Sequence, residues 1–183
     1  MSKPFEPEEA KIAEEKTKEL INMLNRVLKK YVAELGPQRD HDIAFRCKSN
    51  PNIIIYVDVE AARGDRWRKV IADRSGKYKT VRWPIAKKEK CEEKYIKKKL
   101  IAIMLTFNRD NVEEMVYIDC ETWVREGQEE TAPFVHTARR GYRYRKETPE
   151  KFWGIDKSRV IWGVQNLESF LDGLLQRKGI KCL

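Results

Sequence analysis

Between Ile12 and Leu35 the apolar residues Leu20, Ile21, Leu24, Val27, Leu28, Tyr31 and Leu35 recur at steps of three and four. That spacing predicts one amphipathic helix, solvated by Lys and Glu on its other face and stopped by Gly36-Pro37. Asp42 to Cys47 then reads as a short strand, and Ser49 to Asn52 as a turn. Ile53 to Val59 is β-branched nearly throughout, as a buried central strand should be. Arg63 to Arg74 is basic and irregular, Ser75-Gly76 marks a turn, and Lys79 to Ile85 alternates as a third strand with Pro84 near its end. Ala86 to Lys99 is mostly Lys and Glu and predicts a surface helix. Leu100 to Phe107 is another buried strand, and Met115 to Cys120 pairs back after a turn at Asn108 to Asn111. Residues 124–133 read as a polar loop and Arg143 to Arg145 as a strand segment. Leu167 to Leu175 forms a closing helix, capped by Asn166 and stopped near Gly179.

The predicted order is α-β-β-β-α-β, followed by extra β and a final α. It implies an α/β fold with a mixed central sheet flanked by helices. Residues 1–183 form a single domain, with a core over about 8–120 and C-terminal strands and helix over 121–183. We find no internal repeat and no low-complexity linker.

Composition narrows the partners. Hydrophobic residues make up 41% of the 183, enough for a real core, and 37% are charged. The formal charge of +9 favours polyanions, nucleic acid foremost. Cys47, Cys91, Cys120 and Cys182 are scattered without a CxxC pair, and the histidines are His41 and His136 alone. A structural zinc site is therefore not expected, and the cysteines read as reduced thiols of a cytosolic protein. The first residues do not read as a signal peptide, and no apolar run nears the roughly 18 residues that span a bilayer. A cytoplasmic protein without a membrane partner is expected. Abundant Lys, Glu, Arg and Ile beside few Gln and His point to a thermophilic source.

The candidate chemistry sits at the end of the most hydrophobic strand. Asp58 and Glu60 are two apart, so a strand puts both on one face. Neighbouring carboxylates repel each other and are costly to desolvate, and a hard divalent cation, Mg²⁺ or Mn²⁺, resolves that cost. Asp42 opens the preceding strand. In a hairpin turning near residue 50, Asp42 and Asp58 stand equally far from the turn and meet at one end. The same carboxylates could instead meet solvent or a neighbouring arginine.

The arrangement resembles the PD-(D/E)XK nucleases, the restriction-endonuclease-like superfamily, whose core is α-β-β-β-α-β. The resemblance covers roughly residues 8 to 120. In that family one acid opens the second core element and an (Asp/Glu)-x-Lys follows on the next strand. Asp42 matches the first acid and Asp58 the second, while Glu60 stands where lysine is usual, as in a subgroup of type II restriction enzymes. His41, rather than proline, precedes Asp42. The resemblance implies phosphodiester hydrolysis assisted by Mg²⁺ or Mn²⁺ on Asp42, Asp58 and Glu60. Lys87 or Lys88 could supply the missing lysine, and Glu34, flanking the apolar stripe, is a further carboxylate candidate.

Two basic segments could grip phosphates. Arg63, Arg66, Arg68 and Lys69 surround Trp67, and Arg139, Arg140, Arg143, Arg145 and Lys146 interleave with Tyr142 and Tyr144. The expectation is a nuclease, on DNA rather than RNA, serving a virus, mobile element or repair system and working as a monomer or homodimer. The alternatives are a nucleic-acid-binding protein that kept the fold without the chemistry, and a basic structural or assembly protein with an acidic protein partner.

Overall fold

The computed structural model describes residues 7–36, 42–131, 137–139, 142–144 and 151–183. In chain order, α1 (Pro7–Val27) leads to β1 (Tyr31–Leu35), β2 (Ile43–Cys47) and β3 (Ile54–Ala62). A short helix α2 (Gly64–Arg66) continues in π-helical turns over Trp67–Ile71 before β4 (Thr80–Pro84). Helix α3 (Ile85–Lys90) is likewise prolonged over Cys91–Ile96, then come β5 (Ala102–Asn108), β6 (Asn111–Asp119) and α4 (Cys120–Glu126). The chain ends with β7 (Gln128–Thr131), β8 (Thr137–Arg139), β9 (Tyr142–Tyr144), β10 (Lys151–Asp156), β11 (Ile161–Trp162) and α5 (Leu167–Arg177).

The protein is a mixed α/β fold around a six-stranded sheet of order β1-β2-β3-β5-β6-β11. All its neighbours are antiparallel except β3 and β5, which run parallel. A parallel pair needs a crossover, and here α2, β4 and α3 supply it. On one face, Ile55 and Val57 of β3, with Ile103, Leu105 and Phe107 of β5, pack against Leu20, Met23 and Leu24 of α1 and Leu171 and Leu174 of α5. On the other, Met104, Val116 and Ile118 meet Trp83, Cys91, Tyr95 and Trp123. The period-two alternation of β3 therefore points Tyr56, Asp58 and Glu60 into the second layer. Among the described residues, no helix is long and apolar enough to cross a membrane.

The predicted helix to Leu35 is corrected: α1 stops at Val27, and Tyr31–Leu35 is a strand. Glu168 Oε1 accepts the backbone N–H of Lys29 at 2.8 Å and of Lys30 at 2.7 Å, withdrawing both from further helical bonding. Tyr31 and Leu35 suit a helical step, but with Ala33 they also form a period of two, and pairing with β2 decides between the patterns. The three strands ahead of the crossover helix are thus β1, β2 and β3. The predicted third strand, β4, lies in a separate sheet of order β4-β10-β7.

Other expectations shift too. The segment after Pro84 is not a solvated helix, since Cys91 and Tyr95 are core residues. The predicted loop at 124–133 holds the end of α4, with Trp123 buried, and strand β7. Asn166 does not cap α5 with its side chain; it donates to the Trp162 carbonyl at 2.9 Å. Gly179 does end that helix, at φ +71°.

Strand β1 is an outer strand, and its 31, 33 and 35 backbone groups face away from β2, because those of Lys30 and Gly36 face towards it. The Asn25 side chain occupies that side: its Nδ2 donates to the Ala33 carbonyl at 2.9 Å, and its Oδ1 accepts the Ala33 N–H at 2.7 Å.

The expectation of four reduced thiols is also corrected. Cys47 and Cys182 form a disulfide across a sequence separation of 135, fastening the end of β2 to the segment after α5. Cys91 and Cys120 are free and buried.

Candidate active site

The acids meet because of hairpin register. Ile43 pairs with Val57, so the same antiparallel step sets Asp42 against Asp58, and Asp42 Oδ2 accepts the backbone N–H of Val59 at 2.8 Å. Asp42, Asp58 and Glu60 all occupy the face opposite Ile43, Ile55 and Val57. Asp58 is buried, at 2% exposure. An isolated carboxylate there would be expensive, and two lysines compensate it. Lys87 Nζ lies 2.5 Å from Asp58 Oδ1, and Lys90 Nζ 2.8 Å from Oδ2. The two lysines are three apart on the helix that follows β4, hence on one face.

The electrostatics bind these groups into one cluster. Burial pushes Asp58 up, but Lys87 and Lys90 outweigh it and hold the carboxyl below the ordinary value. Burial alone would lower Lys87, yet Asp58, joined by Glu60 and Asp42, keeps its ammonium above the usual value. Asp42 is open to solvent as a residue, but its carboxyl is tucked against β3. Burial raises its pKa, the Val59 N–H pulls it back, and the charge of Asp58 adds to the rise. Two facing carboxylates are thereby driven in opposite directions, a pattern frequent where protons are exchanged.

Glu60 pairs through Oε1 with Arg66, while its Oε2 is buried without a hydrogen-bond partner. Arg66 is delivered by α2, whose first residue presses on the β5–β6 turn. A Cβ at Gly64 would stand 1.9 Å from Asp110 Oδ2, so only glycine lets the helix begin there without displacing Asp110.

The other candidates divide. Lys88 turns away from Asp58: it pairs with Glu92 at 2.6 Å and lies 4.5 Å over the Trp153 ring. Glu34 is not at the acidic end; it pairs with Arg46 at 2.8 Å. Arg68 and Lys69 are exposed, and Arg63 is half-buried. Arg139 and Arg143 fall in β8 and β9, which pair antiparallel with Ala138 opposite Arg143. Arg140, Arg145, His41 and His136 lie outside the described residues. Lys90 was not among the sequence candidates, although its spacing from Lys87 was visible.

Among the described residues, no group of three His, Cys, Asp or Glu side chains is gathered closely enough to hold a metal ion as it stands. Asp58 has both oxygens committed to lysines. The donors not so committed are the second oxygen of Glu60 and the carboxylate of Asp42. A hard cation would fit here by taking Asp58 oxygens from Lys87 or Lys90. No protein-family model matches the chain, and no curated protein matches it either.

Proposed function

We propose that the chain is a metal-dependent nuclease with a restriction-endonuclease-like core, hydrolysing phosphodiester bonds in DNA. The observation that carries the reading is the meeting of Asp42, Asp58 and Glu60 with Lys87 and Lys90 at one end of β2 and β3. With α2 and β4 set aside, β4 lying in the separate sheet, the elements α1, β1, β2, β3, α3 and β5 follow the α-β-β-β-α-β order that the resemblance implies, which supports the reading. Asp42, Asp58 and Glu60 would hold Mg²⁺ or Mn²⁺. Such an ion, when bound, polarises a phosphoryl oxygen and acidifies a water.

The chain's own groups do the rest. Lys87 or Lys90, released from Asp58, presents an ammonium to the non-bridging oxygens of the phosphate and offsets the charge that develops there. Glu60, through the oxygen that has no hydrogen-bond partner, would complete the metal shell or take a proton from an attacking water. Arg63, Arg68 and Lys69, just beyond the acids, would hold the backbone. Cutting both strands symmetrically calls for two copies, and a cytoplasmic setting agrees with the Cys47–Cys182 disulfide if the source is a hyperthermophile, whose intracellular proteins carry such bonds.

A second reading has its own observation. Asp58 is already neutralised by two lysines and Glu60 engaged by Arg66, which favours a nucleic-acid-binding protein without catalysis. Cleavage of supercoiled plasmid in Mg²⁺ or Mn²⁺ separates the two. Metal-dependent nicking lost in Asp58→Asn supports the nuclease. Gel-shift binding that weakens steeply with salt, with no cleavage in either metal, supports the second reading.

A further inference from the structure

Behind the acidic end lies a group of sulfur atoms that the proposed chemistry does not use. Cys91 opens the π-helical turns after α3, and Cys120 opens α4; both are 1% exposed. Their Sγ atoms stand 3.0 Å apart, and Cys91 Sγ also lies 3.5 Å from Met104 Sδ. A disulfide bond is about 2.05 Å long, so roughly an ångström of approach would join the two thiols. The two segments already share the core of Tyr95, Met104 and Trp123.

We propose that Cys91 and Cys120 are a second disulfide pair, closed by oxidation while the chain folds. The oxidant is a small disulfide of the glutathione type. One cysteine thiolate attacks it and forms a mixed disulfide, releasing one thiol. The other cysteine then displaces the second thiol and closes the protein S–S bond. Two protein thiols are oxidised, one small disulfide is reduced to two thiols, and the two protons lost by the cysteines end on those released thiols. The order of events follows from burial. In the folded protein burial pushes the Cys120 thiol up, keeping it protonated and unreactive, and no small reagent reaches it. The bond must therefore form before α4 seats. Once formed, it ties the segment carrying Lys90, next to Cys91, to the start of α4.

The full chain, unfolded and fully reduced, is refolded with oxidised glutathione, then denatured, treated with N-ethylmaleimide and weighed. The expected product carries no maleimide and no glutathione, and its digest contains a peptide pair joined through Cys91 and Cys120. A double variant, Cys47→Ser with Cys182→Ser, isolates the second pair and should also take up no maleimide. Refolded wild type with two maleimides on Cys91 and Cys120, or with either sulfur carrying glutathione, overturns the proposal. So does a digest in which these cysteines are joined to other partners.

Discussion

Strand β2 runs between two charged clusters of opposite character. Beyond its far end, Glu168 accepts two backbone N–H groups, and Asp172 accepts Tyr31 Oη at 2.6 Å and Lys30 Nζ at 2.8 Å. That cluster is partly open to water, and the Cys47–Cys182 disulfide secures the same end. At the near end Asp58 is buried under two lysines, Asp42 is raised and a Glu60 oxygen has no partner. The far cluster solves a folding problem, the exit from α1 into β1. The near one creates an electrostatic problem that the fold does not need, and it is this problem that the proposed chemistry would use.

The widest test is on the far end. Losing the disulfide in Cys182→Ser should cost about 5 kcal/mol in the chain-entropy limit for so long a loop, less where the native state relaxes. Differential scanning calorimetry should show a large fall in Tm, with the proposed nuclease activity retained at permissive temperature. Next comes Asp58→Ala, which strands two ammonium groups and should cost about 3 kcal/mol, the lower end for a broken buried pair because both lysines still reach water. Chemical denaturation checks that figure, and cleavage should vanish as well. Glu168→Ala should cost about 1–2 kcal/mol by leaving two backbone donors to water, with cleavage unchanged. Equal loss of cleavage in this variant would erase the contrast.

Glu60→Gln is the sharpest case: cleavage should fall by about 100-fold or more while the denaturation midpoint changes little, because the amide oxygen still accepts from Arg66 and the oxygen without a hydrogen-bond partner is removed. The smallest effect concerns pH. Asp42 has a folded pKa above its ordinary 3.8, so its ionisation opposes folding, and stability falls as pH rises through the raised value. Asp42→Asn should then be more stable than the parent at neutral pH, with the difference closing below 3.8. Asp58 works the other way: its stabilisation is present above 3.8 and lost as pH falls further. Tm measured across this range for both proteins checks the two signs.

Much of the near end was legible in the chain. A strand as β-branched as Ile53 to Val59 could only be central, and counting from the turn put Asp42 opposite Asp58. What escaped depended on contacts distant in sequence. Tyr31 to Leu35 satisfied two periodicities, and only β2 and Glu168, far along the chain, choose between them. Lys87 was a candidate beside Lys88, but Lys90 was not, because the lysine-rich stretch gives no sign of which face meets Asp58. Cysteines 135 residues apart carried no spacing signal. Lys79 to Ile85 was recognised as a strand, but its partner Lys151–Asp156 lies beyond the reach of local pattern.

The amide of Asn25 has a consequence for how the molecule behaves in a crowd. An open sheet margin recruits strands from other molecules and seeds fibrils. By holding both main-chain groups of Ala33, one side chain denies an incoming strand its middle rung. The protein can thus carry Leu35 on its rim, largely uncovered, without inviting copies of itself to stack there.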